Sequence, residues 1–385
     1  MVFNKIKNFS GLKDLTSLGM SNIISAGISA IFWFYLASLL GEEGYGEISY
    51  FIAIGVIAGV FSSIGSGYTT TVYTAKNVNI MPVLSVLSIT ISAIVAAIIY
   101  VLFQNIAVSL YVIGYVIFNI VQADVLGQKK YLTYSKITIL QKILLVSLAI
   151  PIYFVMDSFG IIFGFALSFF PFFFIIIRRI QQNGIDFSVL KSKFRFLMNS
   201  YGIDISKSFT GNIDKLIIAP MLGFALLGNY HLGIQFLMLL SILPGIVLQY
   251  TLPQDASGTS NPKLKKITVI VSSIFAIIGI FLSPIIIPYI FPEYEESIII
   301  IQIISIAIIP RSISYIFISK FLGIEKSKFV MMGMLIYLAI QIPSILVLGD
   351  IYGVFGIAFA LVLAETAQSL FFLSTNRLFL FNPKN

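Results

Sequence analysis

An all-α polytopic membrane protein, with about twelve transmembrane helices in two parallel six-helix halves around a central cavity, is the architecture expected from this sequence. Three observations support it. The composition is too apolar for water, the charged residues divide the chain into span-length pieces, and the loop bases gather on one side of those spans. Of 385 residues, 58% are hydrophobic and 10% charged, with a mean hydropathy of +1.00; an ordinary soluble domain carries about 25% charged residues. So little polar surface cannot clothe a water-soluble body of this size. A bilayer tolerates it, because lipid-facing side chains need no polarity and helices satisfy their own backbone groups.

The spans follow in order. Lys5, Lys7 and Lys13 precede a first uncharged segment at 15–41, which lacks a cleavage pattern followed by a polar domain and reads as a retained span. The second is 48–75. The uncharged stretch 77–123 is too long for one crossing, and Gln104-Asn105 is the polar break at which two helices turn. Segments 137–156 and 158–177 make the fifth and sixth spans, separated at Asp157. After a basic connector come 196–222, with charges inside it, then 227–252, 267–291, 297–319, 329–349 and 351–376. Each is close to the roughly 20 residues that one crossing needs.

Orientation follows from the bases. One alternate set of loops holds Lys5, Lys7, Lys13, Lys76, Lys129, Lys130, Lys136, Arg178, Arg179, Lys191, Lys193, Arg195, Lys263, Lys265, Lys266, Lys320, Lys326, Lys328, Arg377 and Lys384. The other set holds no Lys or Arg, only Glu42, Glu43, Glu47, Asp157, Glu293, Glu295, Glu296 and Asp350. Short basic loops stay cytoplasmic, so both termini are expected in the cytoplasm and the chain in the cell (plasma or inner) membrane. The net charge of +8 is thereby read as topology. The bases form no single stripe, which argues against a nucleic-acid partner.

The longest basic connector lies mid-chain and divides an amino-terminal half, 1–178, from a carboxy-terminal half, 197–385, across 179–196. Internal similarity supports this division. Leu40-Gly41-Glu42-Glu43-Gly44-Tyr45-Gly46 joins spans one and two, and Leu222-Gly223-Phe224-Ala225-Leu226-Leu227-Gly228 joins spans seven and eight with the same glycine spacing. Leu126-Gly127 with Lys129 and Lys130 follows span four, as Leu322-Gly323 with Lys326 and Lys328 follows span ten. Equivalent positions and equal orientation imply parallel repeats about an axis normal to the membrane. That is a transporter plan, with a site near the midplane reached alternately from either side.

At these residues the chain resembles a known family. Tyr35-Leu36-Ala37-Ser38-Leu39-Leu40 with the Gly41 to Gly46 motif is similar to the end of helix one in Wzx-type polysaccharide-biosynthesis flippases. These belong to the multidrug/oligosaccharidyl-lipid/polysaccharide (MOP) exporter superfamily. Asp214-Lys215-Leu216-Ile217-Ile218, Leu222-Gly223 and Gly228-Asn229-Tyr230 are similar to its helix seven region. The resemblance implies a MATE-like fold and transfer of a polyprenyl-diphosphate-linked oligosaccharide across the bilayer, as in O-antigen assembly.

Four bases stay inside spans, Lys142, Lys207, Lys215 and Arg311, with four acids, Asp124, Asp204, Asp214 and Glu365. Ionisable groups in spans normally face a protein interior or a watery cavity, so each is a site candidate. At about 1.5 Å per residue Lys207 lies roughly 18 Å beyond Arg195, near mid-membrane, and Glu365 roughly 18 Å from Arg377. Asp204, Lys207, Ser208, Gly211, Asp214 and Lys215 form one polar stripe along span seven. Lys207, Arg311, Lys142 and Lys215 are candidates for the anionic diphosphate. Asp204, Glu365, Asp214 and Asp124 are candidates for coupling to H+ or Na+, because burial favours a protonated carboxylate. The alternatives are that Asp204 and Lys207 form a purely structural ion pair, or that the chain is a cation-coupled exporter of drugs or metabolites.

Enzyme chemistry is disfavoured. With no Cys and a single His, disulfides, thiol nucleophiles and Cys- or His-rich metal sites are excluded. No Gly-rich phosphate cradle or Ser/His/Asp set is present, and no cofactor is expected. His231 is expected at the membrane interface.

Overall fold

In a computed structural model of the chain the described residues are 3–256, 260–324 and 326–381, with side chains described from residue 19 except at 22, 253, 256 and 378–381. The side chains of Lys5, Lys7 and Lys13, and the whole of Lys384, lie outside them. All regular structure among the described residues is helical. The helices are α1 (Phe3–Ser63), α2 (Ser66–Ala75), α3 (Met81–Phe103), α4 (Ile106–Gly127), α5 (Tyr131–Leu167), α6 (Phe173–Asn183), α7 (Ser188–Leu222), α8 (Phe224–Leu240), α9 (Ile242–Ala256), α10 (Pro262–Ile290), α11 (Glu295–Ser305), α12 (Ile308–Gly323), α13 (Ser327–Tyr352) and α14 (Val354–Phe381).

Local chemistry sets the breaks. α1 is two helices merged across a kink at Gly41, and α5 is likewise interrupted at Asp157. The turn expected at Gln104-Asn105 forms. Gln104 ends α3 in the left-handed conformation, and the Asn105 side chain accepts the amide of Val108 to cap α4. Asn261 caps α10 in the same way, with Pro262 in its first turn.

Three continuous spans were expected where the structure has breaks. The segment 48–75 is interrupted at Ile64 and Gly65, both at positive φ. Segments 227–252 and 297–319 are bent pairs, α8 with α9 and α11 with α12, each turned by 45°. Pro244 and Pro310 lie just past these bends, and neither can donate a backbone hydrogen bond to the preceding turn.

Among the described residues seven helices are long and apolar enough to cross a membrane, or up to nine if each bent pair is one span. α7 is not among them.

The chain forms two compact units. The first holds residues up to Phe32 and Phe51–Ser208; the second holds Trp33–Tyr50 and the chain from Phe209 onward. The first has its core on α4, where Val116, Ile117, Ile120 and Val121 pack with Phe172 and Ile176. A smaller cluster there seats Leu197 of α7 against Ile80 and Leu84. The second unit's core joins Ile218, Leu227, Tyr230, Ile234, Ile300, Ile304, Ile345 and Leu361. In lipid such packing gains little from apolar burial itself. Close van der Waals contact and interhelical hydrogen bonds therefore position the helices.

Candidate functional site

α7 is shared between the units, its residues through Ser208 packing in the first and those from Phe209 in the second. The polar stripe is shared accordingly. Asp204 and Lys207 fall in the first unit, Asp214 and Lys215 in the second.

In the first unit Asp204 and Lys207 stand one turn apart, yet no ion pair joins them. The Lys207 ammonium instead donates to the Tyr68 hydroxyl on α2 and lies over that ring, 5.0 Å from its centroid. A cation–π contact at an exposed position is worth about 0.5–1 kcal/mol. It holds the ammonium without cancelling its charge, and Lys207 is exposed. The Asp204 carboxylate lies against Gly67 of α2, where an added Cβ would meet Oδ2 at 3.8 Å. Lys142, on α5, is half-buried and forms no ion pair among the described residues.

Asp124 is differently placed. It is 1% exposed and fully partnered: Arg179 donates through Nε and Nη2 to its two oxygens at 3.0 and 3.2 Å, and Thr74 Oγ1 donates at 3.2 Å. The carboxylate ties α2, α4 and α6 together.

In the second unit every candidate charge has an opposite within reach. Asp214 Oδ1 accepts the Lys215 ammonium at 3.3 Å and Asp214 Oδ2 accepts the Tyr230 hydroxyl at 2.9 Å. Lys215 also donates to the Gly211 carbonyl at 2.9 Å. Arg311 on α12 donates to Glu365 on α14, Nη2 at 2.6 Å and Nε at 2.8 Å from Oε1. No group of three or more acidic or histidine side chains placed to hold a metal occurs among the described residues.

The two glycine-spaced loops meet in the second unit. Gly41 (φ 66°, ψ 177°) and Gly223 (φ 89°, ψ 170°) share one backbone conformation, a region open essentially to glycine alone. Beyond them Gly46 sits against the Phe224 carbonyl and Gly228 against the Glu42 carbonyl, each too close to admit a Cβ. The contact is reciprocal, first loop onto second and second onto first. Asn229 tightens the junction by donating to Glu42 and accepting the Ser297 amide. His231 is buried, its ring 5.1 Å from Trp33 and 5.0 Å from Tyr45.

No protein-family model matches the chain, and no curated protein matches its sequence. Solved structures do. The chain is similar to the lipid II flippase MurJ in an inward closed conformation, with a TM-score of 0.77 at 14% identity over 94% of this chain and 87% of that one. An inward-facing multidrug resistance MATE transporter of the MOP superfamily gives 0.73 at 15% identity over 95% and 96%. A MOP-superfamily transporter from Pyrococcus furiosus gives 0.59 at 15% identity over 97% and 96%. The chain has the MATE-like fold.

Within this fold sequence reasoning named the charges but missed their neutral partners Tyr68 and Tyr230, because nothing local marks one tyrosine of 19. It also missed Asp255, at the end of α9, which accepts both 2.7 Å bonds from the Lys265 ammonium and one of 2.6 Å from Ser319. Burial opposes ionisation of Asp255, but the bonds from Lys265, Ser319 and Ser260 outweigh it and hold the carboxyl below its ordinary value. A depressed folded value adds stability above the unfolded pKa of about 3.9, and that stability is lost as pH falls through the folded value. Detergent-solubilised Asp255→Asn should therefore melt below wild type at neutral pH, and the gap should close as pH drops below about 4. A gap independent of pH would contradict this assignment.

Proposed function

We propose that this chain is a multi-pass transporter of the cell membrane that carries a polyprenyl-diphosphate-linked oligosaccharide to the outer leaflet by alternating access, for cell-surface polysaccharide assembly. The observation that carries this reading is Lys207: an exposed ammonium more than three turns into α7, seated on an aromatic ring and without a carboxylate partner. A cation with no carboxylate in direct contact is complementary to a diphosphate. Lys142 adds a second unpaired base in the same unit. Likeness to a lipid II flippase supports a lipid-linked substrate.

In this reading the chain crosses the membrane twelve times, as six helices in 1–178 and six in 197–385 across the 179–196 connector, with both termini cytoplasmic. Within the second unit Arg311 and Lys215, held by Glu365 and Asp214, are candidates for an anionic group once those pairs open.

The test is transport of a labelled polyprenyl-diphosphate sugar in proteoliposomes. Charged hydrogen bonds contribute about 1.5–3 kcal/mol, so Lys207→Gln should slow transport by about tenfold or more while Lys207→Arg retains most of it. Equal rates in Lys207→Gln and wild type would remove the reading.

A second reading, a cation-coupled exporter of drugs or metabolites, draws on Asp204. Its half-buried carboxylate has no ion-pair partner and is a candidate for taking up H+ or Na+. Failure to move the labelled lipid, together with drug efflux that responds to Asp204→Asn and Glu365→Gln, would favour it. Transport by those two variants that is unchanged at every ion gradient would exclude ion coupling through these acids.

A further inference from the structure

The end of the first unit at which α2, α4 and α6 terminate borders an open cavity of about 530 Å³, within the range of about 300–1,000 Å³ usual for small-ligand sites. Its wall carries three bases, Lys129, Lys130 and Arg179, and one acid, Asp124. The Asp124 charge is already cancelled by the two bonds from Arg179. Lys129 and Lys130 are exposed and form no ion pair among the described residues.

Three helix carboxyl ends, those of α2, α4 and α6, also open on the cavity, and each opposes the lysines with about half an elementary charge, about one and a half against two. Two uncompensated ammoniums outweigh them, which leaves a net positive wall. Arg179 adds donor capacity, since Asp124 occupies only its Nε and Nη2. Asn77 and Asn183 supply neutral amides, and the bond from Asn79 Nδ2 to the Asn183 carbonyl at 3.1 Å ties the α2 side of the wall to α6. Asn77 and Lys129 both occupy the left-handed region just past a helix end, at φ 58° and 59°. Glycine is the usual residue there, and each substitution for it sets a hydrogen-bonding side chain on the cavity wall.

We propose that this cavity is a binding site for a phosphate-bearing anion, gripped by Lys129, Lys130 and the unused Nη1 of Arg179. It uses no residue of the transport reading above and stands whether or not that reading does. On the proposed orientation it opens at the cytoplasmic face, where both anionic phospholipid headgroups and soluble phosphates are available.

The experiment is native mass spectrometry of the full-length protein in detergent, offered phosphatidylglycerol, phosphatidylcholine or inorganic phosphate. Wild type should retain phosphatidylglycerol over phosphatidylcholine, or bind inorganic phosphate, and Lys129→Asn/Lys130→Gln should lower that binding by about tenfold. Asparagine suits the left-handed backbone at 129; should the double variant not fold, Lys130→Gln alone should lower binding by about threefold. Preference for the lipid alone supports a headgroup ligand, and binding of inorganic phosphate supports a soluble one. The proposal is overturned if wild type prefers neither probe, or if Lys136→Gln/Lys191→Gln, which removes bases elsewhere in the same unit, lowers binding equally.

Discussion

Arg311→Met should be among the most destabilising single substitutions in the second unit. Glu365 is 4% exposed as a residue, and its Oε1 receives both bonds from Arg311. Removing the guanidinium leaves an uncompensated carboxylate within a helical bundle, at a cost of about 3–5 kcal/mol, whereas replacing both partners by apolar residues of similar volume is often near neutral. Thermal melting of the solubilised protein should therefore show a large loss for Arg311→Met and substantial recovery in Arg311→Met/Glu365→Leu. No recovery in the double variant would mean that Arg311 acts through contacts other than Glu365. The double variant also separates structure from function, because a folded protein that no longer transports would give the pair a role beyond holding α12 to α14.

Gly228→Ala should be the second large effect, with Gly46→Ala its counterpart. At each position the new methyl group would overlap a backbone carbonyl oxygen, of Glu42 or of Phe224, and no side-chain rotation can relieve a clash with backbone. Overpacking costs typically about 1–3 kcal/mol and occasionally more. The contact is reciprocal, so the two single variants should lower the melting temperature by similar amounts, and the double variant should lose less than their sum because one separation of the loops relieves both clashes. Strictly additive losses would show that the two glycines act independently. The glycines at 41 and 223 serve a different purpose: they supply the backbone conformation that turns one helix into the next.

The helices were legible wherever the determining interaction is local. Asp157 interrupts α5, Gln104 and Asn105 close the α3 to α4 turn, and Gly41 kinks α1, because turn and capping preferences operate over a few residues. The bends after α8 and α11 were less legible. A proline permits such a bend, but packing chooses where it opens. The repeated glycine loops were recognisable as a pair, while their mutual contact was not, since spacing carries no information about what lies opposite a residue.

The charges show the same division. Hydropathy and the cost of an ion in lipid are properties of a residue and its neighbours in sequence, so composition and spacing were enough to establish an apolar helical membrane protein and to name Lys142, Lys207, Lys215, Arg311, Asp124, Asp204, Asp214 and Glu365. Whether a charge is cancelled depends on helices far away in the chain. Asp124 meets Arg179 across 55 positions and Arg311 meets Glu365 across 54, whereas Asp204 and Lys207, three positions apart, form no pair because Tyr68 takes the ammonium. A Coulomb interaction depends on distance in space, and between helices that distance is set by packing. The folded arrangement was therefore needed to show that Lys207 and Lys142, of the four candidate bases, have no carboxylate in contact among the described residues.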